Sequence, residues 1–113
     1  MMAAIIKESG ESIQKGVNPT AESIRTAIGA NRLLSEYISG NMVMFYGADG
    51  EINEVATQIL KNAGKDNMGV WGDAIMIPFE EGEPYSILVD EAWMEFSSII
   101  RAAREALEAG ASE

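Results

Sequence analysis

Apolar positions recur along this chain at two periods, and the switch from one to the other marks out its elements. Asn18 suits a helix N-cap, with Pro19 at the first helical position, where a missing N–H leaves no bond unmade. Ile24, Ala27, Ile28, Leu34 and Ile38 follow at helical spacing, Leu33 and Tyr37 widen the stripe, and Gly40 is a natural stop. The spacing predicts a helix over about 19–38. Met42-Val43-Met44-Phe45-Tyr46 is a continuous apolar run closed by Gly47-Ala48-Asp49-Gly50, the pattern of a short buried strand and a turn. Ile52, Val55, Ala56, Ile59 and Leu60 then predict a helix over about 51–63, capped by Asp49 and ended by Gly64.

The last third reads as a hairpin and a helix. Asp73-Ala74-Ile75-Met76-Ile77 is strand-like, and Pro78 places a strand end or an edge there because it donates nothing to a ladder. Glu80-Glu81-Gly82-Glu83-Pro84 reads as a turn, and Tyr85 to Val89 as the returning strand. Asp90 caps a helix whose inner face is Trp93, Phe96, Ile100, Ala103 and Leu107, with Gly110 as its stop. Arg101–Glu105 and Arg104–Glu108 are neighbours on its outer face, each pair worth about 0.2–0.5 kcal/mol. Residues 3–15 fit either a short helix through Ile5, Ile6 and Ile13 or an extended Ala3–Ile6.

The order is helix, strand, helix, strand, strand, helix, with room for a further N-terminal element. Isolated hairpins do not stand alone, so the strands must form one sheet covered by the amphipathic helices. The expectation is an α+β fold, with a mainly antiparallel sheet of three to four strands, built as a single domain over residues 1–113.

Composition removes whole classes of chemistry. The chain has no cysteine and no histidine, so disulfides, thiolate metal sites, zinc centres, Ser-His-Asp triads and Cys-His pairs are out of its reach. With the usual acid, base and nucleophile partners missing, the chain reads as no enzyme, with no catalytic residues and no cofactor. The apolar stretch Met1–Ile6 is cut by Lys7 and Glu8, too short for a signal peptide or a membrane span, so a cytoplasmic protein without membrane association is expected. Asn18-Pro19-Thr20 is no glycosylation site, since proline fills its middle position.

The net charge is −10, and it is uneven. Residues 80–113 hold Glu80, Glu81, Glu83, Asp90, Glu91, Glu95, Glu105, Glu108 and Glu113 against Arg101 and Arg104. Such a field repels nucleic acid and anionic lipid and attracts basic surfaces. A merely solvated face is the plain alternative.

Three short motifs fail on their own spacing. Asp49-Gly50-Glu51-Ile52 resembles the middle of a calcium-binding EF-hand loop, but Phe45, Gly47 and Ala56 stand where carboxylates are needed. Gly64 and Gly69 have the spacing of a phosphate loop, with Val70 and Trp71 in place of Lys and Ser or Thr. The acidic turn at 80–83, with Asp90 and Glu91, offers oxygen ligands for a hard cation, yet nothing in it predicts burial, so no metal site is assigned.

The leading expectation is a non-enzymatic binding or inhibitor protein that engages a basic, nucleic-acid-binding protein surface, as immunity and phage anti-defence proteins do, without touching nucleic acid itself. Glu80, Glu81, Glu83, Glu91 and Glu95 would steer the encounter, and Trp71, set between Gly69 and Gly72, or Tyr85 would anchor it. The seven methionines read chiefly as core filler. An alternative is an oligomeric protein that sequesters a nucleotide-like anion with Arg25, Arg32, Arg101 and Arg104, the first two placed seven apart on one predicted helix. A third is a structural or assembly subunit packed against copies of itself, a homo-oligomer.

Overall fold

The computed structural model describes residues 2–18, 20–39, 41–65, 69–80, 83–84 and 89–111. Its elements run β1 (Met2–Ile6), β2 (Ser12–Gly16), α1 (Ala21–Ile28), β3 (Leu34–Ser39), β4 (Met42–Ile52), α2 (Glu54–Asn62), β5 (Trp71–Glu80), β6 (Glu83–Pro84) and α3 (Val89–Ala111). The fold is α+β. Five strands form one antiparallel sheet in the order β2-β1-β5-β4-β3, and β6 adds two residues beside the end of β5.

Both faces of the sheet are covered, which explains the strand sequences. One core joins Ala4, Ile6, Met44, Tyr46, Ala74 and Met76 to Val55, Ile59 and Leu60 of α2 and to Phe96, Ile100 and Ala103 of α3. The other joins Ala3, Ile5, Val43, Ile75 and Ile77 to Ile24 and Ile28 of α1. Alternate residues of β1, β4 and β5 therefore enter different cores, and these strands read as unbroken apolar runs. The edge strands β2 and β3 are covered less and alternate between half-buried and exposed positions over most of their length. Met42, Met44 and Met76 are fully buried, as core filler should be.

The helix expected over 19–38 is instead α1 followed by β3. Leu34 and Ile38 lie four apart, a spacing that fits a helical stripe and also two alternate positions on one face of a strand. Their side chains pack on the α2–α3 core. The chain leaves the helix at Gly29, whose φ of 64° belongs to the left-handed region and whose N–H bonds the carbonyls of Arg25 and Thr26. Thr20 caps α1 in place of Asn18, accepting from the Ser23 N–H at 3.2 Å. Pro19 lies outside the described residues.

Other boundaries move for similar reasons. Residues 3–15 hold the hairpin β1–β2, so the extended reading of Ala3–Ile6 is the correct one. Beyond the Met42–Tyr46 run, β4 continues to Ile52, and Asn53 rather than Asp49 caps α2. Pro78 lies inside the central strand β5, past Met76, the last β5 residue paired with β1, where the sheet needs no donor on that side. Glu80 pairs with Glu83, so both belong to strands and the turn is shorter than the expected five residues. Residues 85–88 of the expected returning strand lie outside the described residues, and Val89 already belongs to α3. Gly110 does not stop α3, which runs to Ala111. No helix among the described residues is long and apolar enough to cross a membrane.

Candidate functional site

One end of the sheet is built from backbone held unusually close. The turn between β1 and β2, the end of α1, the 48–51 stretch of β4 and the start of β5 meet there. Trp71 pairs with both Gly47 and Ile52, so residues 48–51 of β4 loop out of the ladder. The loop crosses β5 at Gly72: a Cβ there would lie 2.7 Å from the Asp49 carbonyl oxygen, and its φ is +77°. Only glycine meets both demands.

Asn53 fixes this crossing from below. It is fully buried, and its side-chain amide donates to the carbonyls of Ile6 at 2.9 Å and Gly72 at 2.8 Å. Its Oδ1 accepts from the Ala56 N–H at 3.0 Å, closing the first turn of α2. Its backbone N–H donates to the Val70 carbonyl at 2.8 Å. A buried amide with every group paired holds β1, α2 and β5 in one arrangement.

Above the crossing lies an open cleft of about 530 Å³ with Lys7, Glu8, Glu11, Asp49, Gly72 and Asp73 among its walls. Four carboxylates stand there against one ammonium. Asp73 is committed, accepting from Lys7 Nζ at 3.3 Å and from the Glu8 N–H at 3.0 Å. Glu8 in turn accepts from the Glu51 N–H at 3.2 Å. The carbonyl end of α1 faces the same space through Ile28 and Gly29, adding its partial negative charge. A smaller recess of about 110 Å³ continues from the cleft, sharing Gly29, Asp49, Gly72 and Asp73 and adding Gly47, Asn31 and Trp71.

Trp71 is 43 % exposed, and Ile52, opposite it on β4, is 47 % exposed. The Trp71 ring lies over Gly69, where a Cβ would come within 2.6 Å of it. An exposed aromatic and an exposed aliphatic residue are thus paired across β5 and β4, and Trp71 also lines the recess that adjoins the acidic cleft.

Of the residues the sequence nominates, Trp71 stands in this site. Glu80, Glu83 and Glu91 are placed in β5, β6 and α3 by their backbone only, and Glu81 and Tyr85 lie outside the described residues. Glu95 is half-buried on α3. Arg101 and Arg104 share a second cleft of about 440 Å³ with Ser12, Ser97, Glu105 and Glu108. Arg104 donates there to the Gly10 carbonyl at 2.7 Å. Arg25 belongs to α1, on the opposite face of the sheet from α3, and Arg32 to the turn before β3, so the four arginines do not converge. Among the described residues no three His, Cys, Asp or Glu side chains gather where they would hold a metal ion.

Glu8, Glu11, Asp49 and Asp73 were not legible as a group. The signal that pointed to them is the run of glycines at 47, 50, 69 and 72, since glycines around strands mark close backbone approach. No family model matches the chain, and neither the curated proteins nor the solved structures contain a match to it.

Proposed function

We propose that the protein is a non-catalytic binding protein that engages a basic surface of another protein, with Trp71 and Ile52 as anchors and the adjoining acidic cleft as the steering field. The observation that carries this reading is an exposed tryptophan, paired with an exposed isoleucine on β4, lining a recess that shares Asp49, Gly72 and Asp73 with a cleft of four carboxylates and one lysine. Half-exposed aromatic anchors supply most of the energy in such interfaces, and complementary charge supplies rate and selectivity. The net charge of −10 extends the attraction beyond the cleft. Inhibitors of basic proteins work by this scheme.

The anion-sequestering alternative retains Arg101 and Arg104 in one cleft, but Glu105 and Glu108 in the same walls cancel their charge, and Arg104 is engaged by Gly10. The acidic site is therefore the better-supported of the two.

The test is affinity capture from the protein's own cell extract at about 50 and 300 mM salt. The baits are the wild type, Trp71→Ala, and the triple reversal Glu8→Lys, Glu11→Lys, Asp49→Lys, each checked for folding by circular dichroism. A basic protein held by the wild type at low salt, released at high salt and lost from both variants is expected. Retention of the same proteins by all three baits overturns the reading.

A further inference from the structure

The recess behind Trp71 has the chemistry of a receptor for one side chain. Its volume of about 110 Å³ is well below the roughly 300–1,000 Å³ of pockets that enclose a whole small molecule. Much of its lining is backbone and small side chains: Gly29, Gly47 and Gly72 with Ala30 and Ala48. The polar groups around it ask for a donor. Asp49 is an exposed carboxylate with no hydrogen bond or ion pair among the described residues, Asp73 stands beside it, and α1 ends here on its carbonyl side. Trp71 contributes to the lining.

We propose that this recess receives a single arginine side chain of the partner, its guanidinium bonded to the Asp49 carboxylate and lying along the Trp71 ring. The inference rests on the reading that this end of the molecule faces a basic protein. A guanidinium is donor-only and planar, weakly hydrated for a cation, and stacks on indole, so acceptors and an aromatic wall fit it together. A lysine ammonium fits the acceptors but makes no planar stack. A divalent metal ion asks for several convergent oxygen ligands, and no such set of side chains gathers among the described residues.

The test is a ¹⁵N NMR titration of the intact protein with N-acetyl-arginine amide, at constant chloride concentration. The neutral isostere N-acetyl-citrulline amide and N-acetyl-lysine amide serve as comparisons. The expected result is saturable shifts of the Gly29, Gly47 and Gly72 amides and of the Trp71 indole N–H, with a Kd on the order of 1–10 mM. Citrulline leaves these signals in place, and lysine binds several-fold more weakly. Asp49→Asn weakens arginine binding about tenfold, and Trp71→Ala abolishes the shifts while the remaining spectrum is kept. Absence of shifts up to about 100 mM, equal shifts with citrulline, tighter binding of lysine, or shifts confined to another region overturns the proposal. Trp71-dependent capture of a basic protein without arginine binding removes this inference alone. Arginine binding without such capture removes the protein-partner reading and leaves a free guanidinium site.

Discussion

The Asn53 side-chain amide donates to the carbonyl oxygen of Ile6 at 2.9 Å, joining the first turn of α2 to the end of β1 across 47 positions of sequence. The same amide reaches Gly72 on β5, so one residue holds the floor of the acidic cleft.

Asn53→Ala removes the α2 cap and leaves one buried and one part-buried carbonyl short of a donor. A loss of about 3 kcal/mol in unfolding free energy is expected from a cap worth about 1 kcal/mol and unmade buried bonds at 1–3 kcal/mol each. Urea denaturation reads it. A loss below about 1 kcal/mol would show that water takes over the amide's contacts.

Gly72→Ala combines a positive φ with a Cβ 2.7 Å from the Asp49 carbonyl, whereas Gly64→Ala, at φ +90°, meets nothing within 4 Å. The second change costs about 1 kcal/mol of backbone strain, and the first a further 1–3 kcal/mol for the clash. Comparing the two midpoints in denaturant isolates the crossing of β4 over β5. Equal costs would mean that the 48–51 loop moves away freely.

Burial raises the pKa of Tyr46 above the ordinary tyrosine value of 10.0, and the Glu36 carboxylate raises it further. In the folded state Tyr46 keeps its proton where the unfolded chain has lost it. Its contribution to stability is therefore complete below pH 10 and falls as pH climbs from there through the folded-state pKa. Denaturation between pH 9 and 11 should show a steeper alkaline loss for the wild type than for Tyr46→Phe. Parallel curves would contradict the assignment.

Asp73 accepts from Lys7 and from the Glu8 backbone, and its ion pair with Lys7 is partly exposed on both sides. Lys7→Met should cost less than about 1 kcal/mol, since exposed pairs are weak. Asp73→Ala also releases the Glu8 N–H and should cost more, about 1–2 kcal/mol. Measured in about 0.5 M salt, the Lys7 effect should shrink and the Asp73 effect largely persist.

The α2 and α3 patterns, the continuous runs at Met42–Tyr46 and Ala74–Ile77, and the class α+β were legible because a local period records which side of an element is buried. The 34–38 segment was not, because a spacing of four satisfies a helix and a strand equally, and only the stop at Gly29 and the pairing of β3 with β4 separate them. Trp71 was legible as an exposed aromatic from the glycines around it. The acidic cleft was not, because Glu8, Asp49 and Asp73 come from three separate stretches of chain. They meet because β5 lies between β1 and β4, strands that are far apart in sequence. Charge summed along the chain placed the acidic weight at residues 80–113, whereas the described cleft gathers its carboxylates from residues 8–73. Composition thus set the sign of the field. Its position was decided by sheet order, because electrostatic potential depends on distance in space and chain position does not encode it.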